Sequence, residues 1–171
     1  MERGWGRIGG GQGGRLVGIV MIVGLLLGMV AIKGVGAQSE QPQYTGAEGC
    51  KSCHEEIYKG WKGTRHARAY ETLKKKSQEA LPACQRCHVT GYDRAGGYID
   101  QELTPDLAAV QCESCHGAGS LHVNDPANKK GLIGKPGEGV CRECHTKGQD
   151  PKFDYQHKIR LVHGQSAKGG K

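Results

Sequence analysis

Eight cysteines and four of the eight histidines fall into four Cys-x-x-Cys-His motifs: Cys50/Cys53/His54, Cys84/Cys87/His88, Cys112/Cys115/His116 and Cys141/Cys144/His145. No cysteine is left over. Two thiols three residues apart project from one turn of helix, and each can add to one vinyl group of a porphyrin. The next residue, His, then reaches the iron as a proximal imidazole. Zinc is the rival, because two Cys-x-x-Cys pairs also make a tetrahedral thiolate cage. A His directly after every one of the four pairs favours covalent c-type haem, and the motifs predict four haems.

The remaining histidines are His66, His122, His157 and His163. Methionine offers no alternative distal ligand, since Met1, Met21 and Met29 all precede the first motif. The count therefore predicts mainly bis-His ligation and potentials below those of His/Met cytochromes. His66 lies on a buried seam with Ala69, Tyr70 and Leu73, where distal ligation is a better use than a core hydrogen bond. It is twelve residues beyond His54, about 18 Å of axial travel if helical. His122 follows His116 by six residues, a reach of about 20 Å at full extension. Neither distance suits a return to the same iron, so each is expected to ligate a haem of another motif. Four distal histidines could serve four irons, or His157 could stand apart. On a helix His157 and His163 would lie about 240° apart, which lets both face haems only if haems flank the segment.

The elements that must carry these residues are short. Glu55 to Lys76 is the only long helical stretch, with one seam at Ile57, Tyr58 and Trp61 and the second, out of phase, from His66. Gly60 and Gly63 lie between them and predict a kink or two helices. Residues 38–46 read as an extended polar segment, and Gly91 to Tyr98 as a glycine-rich loop without phosphate-loop register, its glycines expected to let backbone approach a haem face. Asn124 to Gly139 is a Pro/Gly/Lys-rich connection expected to be exposed and mobile. The proximal histidines are 34, 28 and 29 residues apart, but the intervening sequences do not repeat. A solenoid is excluded.

The N-terminus carries Arg3, Arg7 and Arg15, an apolar run from Leu16 to Ile32, and Val35-Gly36-Ala37. This pattern predicts a signal peptide over residues 1–37, with an uncleaved membrane anchor as the alternative. The protein is then periplasmic or extracellular, and residues 38–163 form the haem-bearing domain. Residues 164–171 read as a disordered basic tail. The part after Ala37 has a single Phe and few large aliphatics, too little apolar surface for an ordinary core. Haem faces would supply the missing core. The expected fold is mainly α, small and loop-rich, with almost no sheet and a core formed by four c-type haems. Formal charge is +7, but the leader holds four basic side chains and one acidic, and haem propionates would offset the rest. Nucleic-acid binding is therefore not favoured.

Three stretches resemble the cytochrome c-554 family: Trp61-x-x-Thr64-x-His66-Ala67; Cys87-His88-Val-Thr-Gly91-Tyr92 with Gly96-Gly97; and Val110 through His122, the most specific block. The resemblance covers roughly residues 44–163. It implies an electron carrier with closely stacked haems, three of them bis-His and the second, on His88, five-coordinate. His66 and His122 match distal ligands of that family, His163 is similar to the third, and His157 has no counterpart. The implied partners are other cytochromes or a membrane oxidoreductase, with membrane contact only if the leader is retained. Two alternatives are reduction of a small nitrogen oxide at an open haem and self-assembly into an oligomer or extracellular filament. The absence of a Lys, Arg, Tyr and His cluster around any one motif favours electron transfer over catalysis.

Overall fold

The computed structural model describes residues 41–164. The leader and the residues after Gly164 lie outside the described residues. The described residues form one compact unit. Its regular elements are α1 (Ala47–Lys51), α2 (Glu55–Lys62), α3 (Ala69–Lys74), α4 (Pro82–His88), α5 (Cys112–His116), α6 (Ser120–Asn124), α7 (Glu138–Arg142) and α8 (Tyr155–Lys158). Single 3₁₀ turns occur at His66–Arg68, Pro105–Leu107 and Ile159–Leu161. Among the described residues there is no strand, only an isolated antiparallel bridge between Val89 and Ala108.

The long helical stretch is two helices. Gly63 ends α2, its N–H turning back to the Gly60 carbonyl at 3.2 Å, and the Thr64 N–H bonds the Trp61 carbonyl at 2.8 Å. The Thr64 hydroxyl then accepts from the Ala67 N–H at 3.3 Å and opens the next turn. Tyr58 and Trp61 are buried on α2, but Ile57 is exposed, so the first seam is narrower than its sequence suggests. Ala69, Tyr70 and Leu73 on α3 are buried as their spacing predicts.

Two small clusters replace a single core. One gathers Tyr70, Leu73, Val89, Tyr98, Leu107 and Ala109; the other gathers Ala47, Tyr58 and Trp61. The Trp61 indole N–H donates to the Val110 carbonyl at 3.0 Å, and the Val110 N–H donates to the His66 carbonyl at 3.2 Å. These bonds strap the approach to the third motif onto α2 and the His66 turn. The glycine-rich loop is explained by backbone meeting backbone. A Cβ on Gly97 would fall 1.8 Å from the Gly91 carbonyl oxygen, and one on Gly91 would strike Gly97 and the Tyr44 ring. That crossing of backbones is a constraint the structure displays on both glycines.

Candidate haem-binding site

Each motif forms one helical turn, with its His four residues after the first Cys. The His54 N–H donates to the Cys50 carbonyl and the His145 N–H to the Cys141 carbonyl, both at 2.9 Å. The second and third motifs lie within α4 and α5. Two thiols and one imidazole are thereby presented from each turn, as vinyl addition and proximal ligation require.

Thiols of different motifs meet. Beside Cys112, the Cys50 thiol is held above its ordinary range and Cys112 below it. Burial, with Cys87 beside it, pushes the Cys144 thiol up to about 12. Burial raises Cys115, with Cys141 adding to it. These neighbours set the motifs in the spatial order first, third, fourth, second. No two of the eight cysteines are joined in a disulfide.

Among the motif thiols, seven are half-buried and Cys53 is exposed. The reason is local: α1 ends at Lys51, and Cys53 falls in the turn before α2, where residues 51–57 all face solvent. Its sulfur lies 3.8 Å from the hydroxyl of the adjacent Ser52. The spacing to Cys50 and His54 still suits vinyl addition, so Cys53 stands at the rim of the first site and not in the core.

The imidazoles form three facing pairs. The His54 and His122 rings have centroids 6.4 Å apart, His116 and His163 6.1 Å, and His66 and His145 6.1 Å. An imidazole nitrogen lies about 1.15 Å from its ring centroid, and a metal–nitrogen bond is about 2.0 Å, so two rings on one metal ion have centroids about 6.3 Å apart. The observed spacings fit a haem iron between each pair. Burial pushes the His66 ring below the ordinary imidazole range, with His145 adding to it, and burial does the same to His163 beside His116. Both shifts favour the neutral ring, which keeps a lone pair for a metal. His88 faces no second imidazole among the described residues. His157 is exposed on α8, its backbone N–H capped by the Asp154 carboxylate at 3.3 Å.

Ring orientation is held from behind through Nδ1. His88 bonds the Ala69 carbonyl at 2.8 Å, His116 the Ile133 carbonyl at 2.7 Å and His122 the Asn128 carbonyl at 3.1 Å. An Nδ1–H donated to a carbonyl leaves Nε2 as the free donor atom. His145 instead meets the Asp150 carboxylate at 2.9 Å, while the Phe153 ring lies against its face at 4.6 Å and Arg142 packs on Phe153. Sequence reasoning missed Asp150, Phe153, Asn128 and Ile133. The last two belong to the connection expected to be merely exposed. A backbone carbonyl leaves no mark on residue type, so only the buried aromatic Phe153 near the fourth motif could have been suspected.

Helical turns that each offer two thiols and an imidazole, with further imidazoles facing them at metal-bridging distance, define a multihaem c-type cytochrome. The family model described as cytochrome c554 and c-prime matches residues 49–117, which include the first three motifs. Cytochrome c-554 of Nitrosomonas europaea is 33% identical over 136 residues, 70% of this chain and 57% of that protein. The solved structure of the reduced state of cytochrome c554 from the same organism has a TM-score of 0.60 at 26% identity, covering 72% of this chain and 84% of that one. The resemblance to the cytochrome c-554 family thus holds in both sequence and fold, and the mainly helical, loop-rich architecture is that of its solved relative. The chain spans a little over half the length of the curated relative it matches.

Proposed function

We propose that the protein is an exported tetrahaem electron carrier. Haem iron supplies reversible one-electron chemistry when bound; the polypeptide holds and orients it. Haem would be held covalently by Cys50/Cys53, Cys84/Cys87, Cys112/Cys115 and Cys141/Cys144, with His54, His88, His116 and His145 as its first iron ligands. His122 beside His54, His66 beside His145, and His163 beside His116 would supply the second. The observation that carries this reading is the ring spacing of 6.1–6.4 Å, close to that of two imidazoles on one metal.

In this reading every distal histidine serves a motif other than the one preceding it. His66 follows the first motif and serves the fourth; His122 follows the third and serves the first; His163 follows the fourth and serves the third. His157 serves none, and the site on His88 keeps an open face. Contacts between thiols of neighbouring motifs support closely spaced redox centres. The leader pattern supports a periplasmic or extracellular location. Partners of matching chemistry are other cytochromes or a membrane oxidoreductase.

A pyridine haemochrome assay with intact mass tests the stoichiometry, and two haems with bound zinc would refute it. Electron paramagnetic resonance on the wild type and on His66→Ala, His122→Ala, His163→Ala and His157→Ala tests the ligands. The first three substitutions are expected each to convert one low-spin centre to high spin, and the fourth none. An all-low-spin wild type that gains a high-spin signal in His157→Ala would overturn the open site. A second reading, reduction of a small nitrogen oxide, draws on the unpaired His88 ring alone. A high-spin ferric signal that shifts on adding nitric oxide, with turnover, would favour it.

A further inference from the structure

Glu113 is the second residue of its motif, a place taken by Lys51, Gln85 and Arg142 in the other three. Attachment chemistry has no use for a carboxylate there, yet Glu113 is 4% exposed. Its partners are backbone N–H groups and one hydroxyl. Oε1 accepts from Thr45 N–H at 3.0 Å, Gly119 N–H at 2.7 Å and the Thr45 hydroxyl at 3.3 Å; Oε2 accepts from Thr45 N–H at 3.0 Å and Gly46 N–H at 2.8 Å. Every one of these contacts needs an acceptor, which an ionised carboxylate alone offers at both oxygens.

The donors stand at the start of two different helices. Gly46 precedes α1, whose turn runs through Cys50 to His54, and Gly119 precedes α6, which carries His122. The rings of His54 and His122 face each other at 6.4 Å. A second tie runs alongside: the Gln43 N–H donates to the Ser120 hydroxyl at 2.8 Å, and the Ser120 N–H to the Gln43 carbonyl at 3.1 Å. One carboxylate on the third motif therefore fixes the relative placement of the two imidazoles assigned to the first.

We infer that Glu113 is the positioning residue that keeps the first haem six-coordinate, by locking the start of the His122 helix to the start of the first motif. The inference rests on the axial assignment proposed above. In Glu113→Gln, an amide NH₂ must turn toward Gly119 or toward Thr45 and Gly46, so a donor meets a donor and one helix start is released.

The holoprotein with Glu113→Gln is expected to keep four haems by intact mass. Its ferric spectrum should gain one additional haem's worth of high-spin signal, matching that of His122→Ala, and added imidazole should restore the low-spin form. The low-spin signals lost in His66→Ala and His163→Ala should remain, which general loosening of the fold would not spare. Four haems with an unchanged spin state would overturn the inference. A His122→Ala protein without a new high-spin signal would instead overturn the axial assignment beneath it. Should Glu113→Gln fail to mature, hydrogen exchange on the wild type decides. The amides of Thr45, Gly46 and Gly119 should exchange at least tenfold more slowly than those of the exposed connection 125–130, and equal rates would overturn the inference.

Discussion

Thr90 is fully buried two residues after the second motif, and its hydroxyl connects that motif to the third. It donates to the Ala109 carbonyl at 2.8 Å and accepts from the Gln111 N–H at 3.0 Å. With its proton given to Ala109, the Ser114 hydroxyl at 3.0 Å must be the donor in their contact. Thr90→Val keeps the shape but strands the buried N–H of Gln111 and carbonyl of Ala109. Each of the two stranded groups costs about 1–3 kcal/mol, and the added methyl recovers about 0.8 kcal/mol, so the net loss is about 1–5 kcal/mol. In a domain of this size that is a fall in Tm of about 3–25 °C. Thr90→Ser keeps the hydroxyl and loses one methyl, for about 1 kcal/mol. Thermal unfolding of the ferric proteins, followed by far-ultraviolet circular dichroism, separates the two. A Val variant within about 0.5 kcal/mol of wild type, or a Ser variant equally damaged, would refute the claim that the hydroxyl joins the motifs.

Trp61→Phe should lose about 1–3 kcal/mol in denaturant unfolding, because the Val110 carbonyl keeps no indole donor. Gly97→Ala should fail to accumulate as folded holoprotein in a haem-stained gel, since its Cβ would overlap the Gly91 carbonyl, whereas Gly134→Ala, with nothing within 4 Å, should stay within about 0.5 kcal/mol of wild type. Burial, reinforced by its hydrogen bond to the Tyr70 hydroxyl, raises the Tyr98 phenol well above its ordinary value. A raised folded-state value leaves stability intact below about pH 10 and removes it as pH climbs further, so Tyr98→Phe should flatten part of the alkaline decline in unfolding free energy above about pH 10.

The four Cys-x-x-Cys-His turns were legible because two thiols and an imidazole within five positions are contiguous in the chain. Which of their thiols faces solvent was not, because the motif repeats identically while the end of α1 decides the exposure of Cys53. The break after α2 was legible for a local reason too, with Gly60, Gly63 and Thr64 all within about one turn. The glycines at 91 and 97 were readable as a close approach, but not what approaches what, because the opposing backbone lies across the loop. Ile57 shows the limit of periodicity, which marks a side chain as apolar without supplying a surface to cover it. The carbonyls of Asn128 and Ile133 could not be foreseen, since any residue brings a carbonyl. Which histidine faces which was equally hidden, because the facing rings are 68, 79 and 47 residues apart.

Those separations bear on how the pairing is chosen. Closing a loop of n residues costs about (3/2)RT ln n, so loops of 47 and 79 residues differ by only about 0.5 kcal/mol. Chain entropy therefore barely distinguishes one distal histidine from another, and selection must come from what holds each one locally. The Val110 N–H bonds the His66 carbonyl while Trp61 bonds the Val110 carbonyl, which fixes the turn facing His145. Glu113 and Ser120 hold the start of the helix bearing His122. Gly164, at φ +72°, packs so closely on Gly60 that a Cβ would overlap it, which docks the segment ending in His163 onto α2. Among the described residues His157 has no such anchor: it sits exposed on one turn of helix, its backbone N–H bonded to Asp154 three residues away. An unanchored histidine could reach the ring of His88 only by ordering its own segment, at about 1–2 kcal/mol per residue fixed. Local anchoring thus accounts for three facing pairs and one ring left alone, without any rule written into the motifs themselves.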